Sequence, residues 1–157
     1  SDEFKFILKK VDAIDFTNEQ DYNFKSMRDS TIFMVSSKNS KKLSDKSTTF
    51  NFEKDIDVKN LWGGQIISRP YEGKELTLVL FELKSGFKFD DNGHANEQIT
   101  WLIDGEMNFY SDNKKKLLNS DMGVSIGANH SHGGISKGAI GFDVFFPKRV
   151  EKNYKNI

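Results

Sequence analysis

A regular series of short strands, separated by turn residues, constrains the fold more than any other feature of this sequence. β-Favouring runs recur roughly every 8–12 residues between Trp62 and Pro147. No apolar stripe of helical period extends beyond two turns. The pattern is typical of a β-sandwich or β-barrel. The predicted strands are Gln65–Arg69, Glu75–Leu83, Gln98–Ile103, Glu106–Tyr110, Lys114–Leu118, Gly123–Ile126, His132–Ser136 and Ala139–Phe146.

Composition fits one domain and excludes several kinds of site. The 157 residues include 14 Phe, which supply a core, and no Cys, which excludes disulfides and thiolate ligands. Lys+Arg and Asp+Glu both number 23, so we expect neither nucleic acid nor a membrane surface as a partner. The most apolar run, Leu76 to Leu83, is far shorter than the roughly 20 residues that span a bilayer. We expect a cytoplasmic protein, although an earlier removed leader would leave the same sequence.

The dipeptide Asp104-Gly105 lies between two apolar runs and predicts a β-hairpin with a two-residue turn. In that register, alternate residues on the two strands share a face. The opposite face would hold Ile99, Trp101 and Ile103, and an apolar outer face of this kind predicts a homodimer. The first face of the predicted hairpin would hold Gln98, Thr100, Leu102, Met107 and Phe109.

The three histidines are the candidates for chemistry. His94 precedes the predicted hairpin, and His130 and His132 follow it. Asn92, His94 and Gln98 stand at i, i+2 and i+6, so an extended chain would turn all three to one side. Imidazoles and amide oxygens from separate strands could bind a divalent metal. His130 fits either an extra ligand or an exposed loop residue.

Two runs resemble the conserved motifs of the cupin superfamily. The first is GFKFDDNGHANEQITWLIDGE at residues 86–106, and the second is DMGVSIGANHSHG at residues 121–133. The resemblance covers residues 60–150 and is closest to small metal cupins of the pectin-degradation type, which act on unsaturated uronates. His94 stands at the second of two family histidines and Asn92 at the first. An amide is a weaker ligand for zinc, nickel or copper than imidazole.

The resemblance implies an all-β fold, a single-domain jelly-roll barrel of two sheets. We predict that residues 1–59 pack on the barrel edge, that residues 60–150 form the cupin domain, and that residues 151–157 form a basic tail. The implied cofactor is a divalent ion (Zn, Ni, Mn or Fe). Its predicted ligands are His94, Gln98, His132 and Asn92.

The family's closing motif implies the substrate pocket. The run DVFFPKR places Asp143, Phe145 and Arg149 at pocket-lining offsets. We predict that Asp143 moves protons and that Arg149 binds a substrate carboxylate, although Asp143 could instead pair with an arginine and Arg149 could belong to the tail. The remaining predicted substrate contacts are Phe145, Arg69, Phe109 and Met107.

The leading hypothesis is therefore a metal-dependent enzyme that opens, tautomerises or isomerises a small carbohydrate or sugar acid without redox chemistry. One alternative is a cupin that binds a small molecule without catalysis. Another is a metal-dependent dioxygenase. That second alternative is disfavoured because Glu97, next to Gln98 in a strand, should point away from the metal and leave two histidines without a carboxylate.

Overall fold

The computed structural model describes residues 12–15, 33–35 and 48–150, which form ten strands and one 3-10 turn at Trp62–Gly64. In this described part of the chain, no helix is long and apolar enough to span a membrane. The predicted tail at 151–157 and most of residues 1–59 lie outside the described residues. The strands are β1 (Asp12–Asp15), β2 (Thr48–Asn51), β3 (Lys59–Leu61), β4 (Ile66–Glu72), β5 (Thr77–Leu83), β6 (Lys88–Asp91), β7 (Glu97–Ser111), β8 (Lys114–Asn119), β9 (Gly123–Ile126) and β10 (His132–Phe146).

Two long strands organise the fold. β7 and β10 have 15 residues each and pair with one another along most of their length. The second half of β10 pairs with β5, which continues through β4 to β3, and the first half of β7 pairs with β9. The other halves pair with β6 and β8. Each long strand therefore passes from one sheet to the other, and the all-β, two-sheet prediction is confirmed.

The predicted hairpin at Asp104-Gly105 is wrong, because both residues lie inside the continuous strand β7. Gly105 has φ +86, and a Cβ there would meet the Gly138 carbonyl oxygen of β10 at 2.0 Å. The register between the two strands shifts on both sides of this point. The glycine thus lets two backbones approach where the strands bend between sheets, so it serves a bulge rather than a turn.

The interior core fills the space near this bend. Leu102 and Leu118 are fully buried, and Met107 is 1% exposed. Met107 lies opposite Leu118 in the ladder between β7 and β8. Large apolar side chains from both sheets therefore close this end of the barrel. The buried core cluster comprises Phe81, Leu102, Met107, Phe109, Leu118, Ile126 and Ala139.

A second apolar layer covers the outer face of β5 and β10. The Phe52 ring, 1% exposed, packs 5.2 Å from the Phe142 ring, and the Phe33 ring stacks on Phe142 at 6.0 Å. β1 and β2 form a separate two-stranded sheet. Phe33 and Phe52 of the described N-terminal part therefore pack on a face of the main sheet, and the edge position of residues 1–59 stays a prediction.

The outer face of β7 is covered only in part. Phe33 lies 6.2 Å from Trp101, ring centre to ring centre, whereas Ile99 and Ile103 are 40% and 39% exposed. The homodimer stays a prediction for this face. Light scattering at roughly tens of micromolar tests it, and a particle of 18.0 kDa would contradict it.

Candidate metal centre

Three side chains that can bind a metal converge at the end of the barrel away from the bend. Asp91 ends β6 and lies directly opposite His132, which begins β10. His94 follows on the loop from β6 to β7. One ligand atom from each of Asp91, His94 and His132 lies within 4.8 Å of the other two. Ligands of one tetrahedral ion lie roughly 3.5 Å apart, so side-chain movements of about an ångström would bring the three atoms onto one ion.

The loop that carries His94 is fixed by its glycine. Gly93 has φ +101, and a Cβ there would meet the backbone carbon of Asn129 at 2.8 Å. The His94 carbonyl accepts a hydrogen bond from the Asn129 N–H at 2.6 Å. The Gly93 N–H donates to Asp91 Oδ1 at 2.8 Å. The left-handed glycine thus turns the chain, and the turn also orients the Asp91 carboxylate.

The His132 ring has a defined tautomer. Its Nδ1 lies 3.0 Å from the His130 carbonyl oxygen, and a carbonyl only accepts hydrogen bonds. Nδ1 therefore carries the proton, and Nε2 presents a lone pair. Histidine ligands of metals are commonly oriented by such a bond from the other ring nitrogen.

Gln98 connects His94 to a buried polar network. Its Nε2 donates to Asp143 Oδ1 and to Thr100 Oγ1, both at 3.0 Å. Thr100 Oγ1 donates to the same Asp143 oxygen at 2.6 Å. These bonds turn Gln98 Oε1 toward His94 Nε2, which lies 3.0 Å away. His94 Nδ1 is buried and has no hydrogen-bond partner.

The pKa values of two groups in this region are shifted by their surroundings. Burial, and to a lesser extent the Arg149 charge, lowers the pKa of His94 below its usual value. Its imidazole is therefore neutral at neutral pH, as a ligand must be. Burial raises the pKa of Asp143 to about 6, against the hydrogen bonds from Thr100 and Gln98, which lower it.

Arg149 brings a positive charge to the same region. It is 5% exposed, and its guanidinium lies 5.0 Å from the centre of the Phe145 ring and 3.8 Å from Asp91. Its backbone N–H donates to Thr77 Oγ1 at 3.0 Å, and the Thr77 hydroxyl donates to its carbonyl at 2.8 Å. Asn96 Nδ2 donates to the Pro147 carbonyl. These bonds fix the segment after β10 so that Arg149 faces the interior.

A cavity of about 120 Å³ lies beside these groups. Its wall joins polar residues to an apolar surface. This volume is below the roughly 300–1,000 Å³ of most ligand sites, so only a small molecule, or one end of a larger one, fits inside. The side chains that line it include Asp91, Gln98, Thr100, Met107, Phe109, His132, Asp143, Phe145 and Arg149.

Solved structures share this architecture at low sequence identity. An RmlC-like cupin from Shewanella frigidimarina matches with a TM-score of 0.59 and 20% identity, over 67% of this chain and 94% of that protein. KdgF from a Halomonas species matches at 0.55 and 16%, over 59% and 89%. FeII HppE matches at 0.54 and 14%, over 60% of this chain and 57% of HppE. The chain has an RmlC-like cupin fold. No protein-family model and no curated protein matches the sequence.

In this structure, the predicted ligands do not all lie together. His94, Gln98 and His132 do, whereas Asn92 is exposed. The strand ends at Asp91, and the turn at Gly93 breaks the extended alternation on which the Asn92 prediction depended. His130 is also exposed, with its Nδ1 bonded to the Ala128 carbonyl.

Asp91 is not among the ligands that the sequence predicts. Two signals could have found it: the alternation of Phe89 and Asp91 along one short strand, and the left-handed tendency of the Asn-Gly pair that follows.

Most of the predicted pocket residues line the cavity, and one does not. Met107, Phe109, Asp143, Phe145 and Arg149 line the cavity. Their contact with a substrate stays a prediction. Arg69, in contrast to the prediction, is not among the residues that line the cavity. It alternates with the cavity-lining Ser68 and forms an ion pair with Glu82 at 2.9 Å, on the other face of β4.

The residues present fit a divalent cation. The site offers two imidazoles, one carboxylate and the Gln98 amide oxygen, a donor set that zinc, manganese and iron accept. The unpartnered, buried His94 Nδ1 adds to this argument, because a buried lone pair without a partner is costly unless a cation or a donor reaches it.

Proposed function

We propose that this cupin is a metal-dependent enzyme that opens, tautomerises or isomerises a small carbohydrate or sugar acid without redox chemistry. One observation carries the proposal. Asp91, His94 and His132 converge beside a cavity that also receives the buried Arg149 guanidinium. A cation site next to a guanidinium favours a substrate with a carboxylate and a neighbouring oxygen. In the proposed ligand set, Gln98 is retained and Asp91 replaces Asn92.

Each cavity residue has a proposed role. Arg149 binds the substrate carboxylate through paired N–H groups, which match its planar geometry. Asp143 lines the cavity and exchanges a proton with the substrate. A bound divalent ion would polarise a hydroxyl or carbonyl oxygen of the substrate. Phe109 and Phe145 flank the imidazoles, with ring centres 6.2 Å from His132 and 5.5 Å from His94 respectively.

The apolar part of the cavity restricts the substrate. Met107 and Phe109 are almost fully buried and present no polar group that could bind a sugar hydroxyl. We expect the carboxylate end of the substrate near Arg149 and a less polar carbon framework, such as that of an unsaturated uronate, against these side chains.

Metal loading followed by turnover tests the proposal. The protein is loaded with manganese, iron, nickel or zinc, and an unsaturated uronate is offered. We expect about one ion per chain and a loss of the ultraviolet absorbance of the conjugated carboxylate. Less than about one ion per ten chains would contradict the metal site. Full loading without turnover on any uronate would indicate the alternative of a non-catalytic binding protein.

The position of Asp91 also supports a second candidate, a metal-dependent dioxygenase. The sequence predicts no carboxylate beside the histidines, and Glu97 is exposed on the other side of β7. Asp91 supplies one, and two histidines with one carboxylate are the typical ligands of non-haem iron oxygenases. Oxygen uptake by the iron(II)-loaded protein, measured with and without uronates, distinguishes the two candidates. The non-redox enzyme is expected to consume none above the metal-only background.

A further inference from the structure

One carboxylate at this site serves two kinds of neighbour. Asp91 groups with His94 and His132 as a metal ligand, and its Oδ2 lies 3.8 Å from a guanidinium nitrogen of Arg149. The Asp91 side chain is 14% exposed and that of Arg149 is 6% exposed. Little water can therefore screen the interaction of this carboxylate with either neighbour.

The carboxylate has little freedom to satisfy both neighbours. Its Oδ1 accepts the Gly93 N–H at 2.8 Å, which fixes the side chain relative to the His94 loop. The Asp91 backbone is fixed by its pairing with His132. A cation at the histidines would therefore compete with Arg149 for the Asp91 carboxylate.

We propose that Asp91 couples metal binding to the recognition of an anion by Arg149. In the metal-free protein, Asp91 partly occupies the guanidinium face that an external carboxylate needs. When a divalent ion binds, Asp91 becomes its ligand, and its negative charge no longer offsets the Arg149 charge that attracts the carboxylate of a ligand. This inference rests on the metal site and the carboxylate contact of the proposed function.

The charges at the site determine whether the metal ion strengthens or weakens the binding of an anion. Asp91 and Arg149 together are neutral, and a divalent ion bound by the histidines adds about two positive charges to the site. An incoming carboxylate is therefore bound more strongly when the ion is present. Because binding equilibria are linked, the carboxylate must strengthen metal binding by the same factor.

Cobalt(II) and acetate are suitable probes for the wild-type protein at constant pH. Acetate carries the carboxylate and fits a small cavity, whereas acetamide has the same shape without the charge. We expect acetate to tighten cobalt(II) binding by at least about 5-fold and cobalt(II) to tighten acetate binding equally, with no effect of acetamide. Calorimetry and the visible spectrum of bound cobalt(II) measure both. Acetate that leaves the cobalt(II) affinity unchanged would overturn the inference.

Two variants separate this coupling from direct contact between acetate and the ion. In Arg149→Gln, the acetate effect on cobalt(II) binding should disappear, and its persistence would show that acetate acts through the metal alone. In metal-free Asp91→Asn, acetate should bind at least about 5-fold more tightly than in the wild type, because the competing charge is gone. Equal or weaker binding would contradict the proposal. Asp90→Asn is the matched control, since Asp90 is exposed on the other side of β6.

The outcomes also separate the inference from the proposed function. A wild-type protein that binds no cobalt(II) removes the metal enzyme, and the acetate affinities of metal-free wild type and Asp91→Asn then decide whether Asp91 masks Arg149. A wild-type protein that binds cobalt(II) without any acetate effect leaves the metal site intact and removes the coupling alone.

Discussion

The two ends of the barrel interior are built from the same strands, but polar side chains gather at only one of them. Near the bend, β7 and β10 contribute Leu102, Met107 and Ala139, all at most 3% exposed. At the other end, the inward positions of the same two strands hold Gln98, His132 and Asp143. The polar groups are tolerated because they bond to one another and face a cavity. One end therefore stabilises the fold, and the other is available for binding.

The largest expected effect is on stability, at the bend end. Leu102→Ala removes a fully buried side chain and should lower the free energy of unfolding by about 2–5 kcal/mol, measured by denaturant titration. Leu117→Ala, at an exposed position, is the control and should cost less than about 1 kcal/mol. A metal affinity that fell along with stability in folded Leu102→Ala would contradict the separation of the two ends.

The next effect is on metal binding, at the other end. His132→Ala should weaken metal binding by more than about 100-fold, because loss of a ligand exceeds the 10–100-fold typical of outer partners. The free energy of unfolding of the metal-free protein should change by less than about 1.5 kcal/mol. Calorimetric metal titration is the measurement. Exposed His130→Ala serves as the control, and an equal loss there would place the site elsewhere.

The third effect is a pH dependence of stability that Asp143 produces. Its folded pKa is raised from 3.8 to about 6, so the ionised carboxylate destabilises the folded state above about pH 6, and this penalty disappears as the pH falls toward 3.8. Asp143→Asn lacks the penalty. In metal-free protein, the variant should therefore gain stability over wild type on the order of 2 kcal/mol more at pH 7.5 than at pH 4.

The difference in stability between wild type and Asp143→Asn separates the contribution of Asp143 from that of His94. The lowered pKa of His94 removes stability as the pH falls below the usual histidine value, in the opposite sense, and it does so in wild type and variant alike. Chemical denaturation of both proteins across this pH range gives the difference. A gain independent of pH would show that Asp143 has an ordinary pKa.

The smallest expected effect concerns the Thr100 hydroxyl, which lies between the two ends. Thr100→Val keeps the shape of the side chain but removes its bonds to Asp143 and Gln98. Gln98 Oε1 would then be less well oriented, and metal binding should weaken by about 10-fold. Thr49→Val, at an exposed position of β2, is the matched control. An unchanged metal affinity in Thr100→Val would show that the network does not position Gln98.

The inward face of β7 could be predicted from the sequence even though its hairpin could not. Leu102 and Met107 are both inward in a two-residue hairpin and in the observed bent strand, because the bulge at the bend shifts the alternation by one residue. The two residues therefore point inward as predicted, although the predicted hairpin is absent. Strand spacing alone does not distinguish a turn from a bend when a distant residue, Gly138, makes the bend possible.

The site was less predictable than the fold. His94, Gln98 and His132 are implied by the motif resemblance and lie together, and their role as ligands stays a prediction. The side chain at the fourth position depends on one backbone angle. Gly93 resets the alternation, so Asp91 points inward and Asn92 outward. Arg69 was misplaced for a related reason, since the sequence did not fix which residues of β4 face the cavity.

The two hydrogen bonds between the Thr77 hydroxyl and the Arg149 backbone link residues 72 positions apart. Contacts of this range form late in folding, because the chain must first lose the entropy of closing a long loop. The arginine can reach its place only when β5 and β10 pair, which closes a longer loop than the pairing of β6 with β10 that sets Asp91 opposite His132. A rapid-mixing experiment should therefore find refolding molecules that capture metal earlier than they capture an anion.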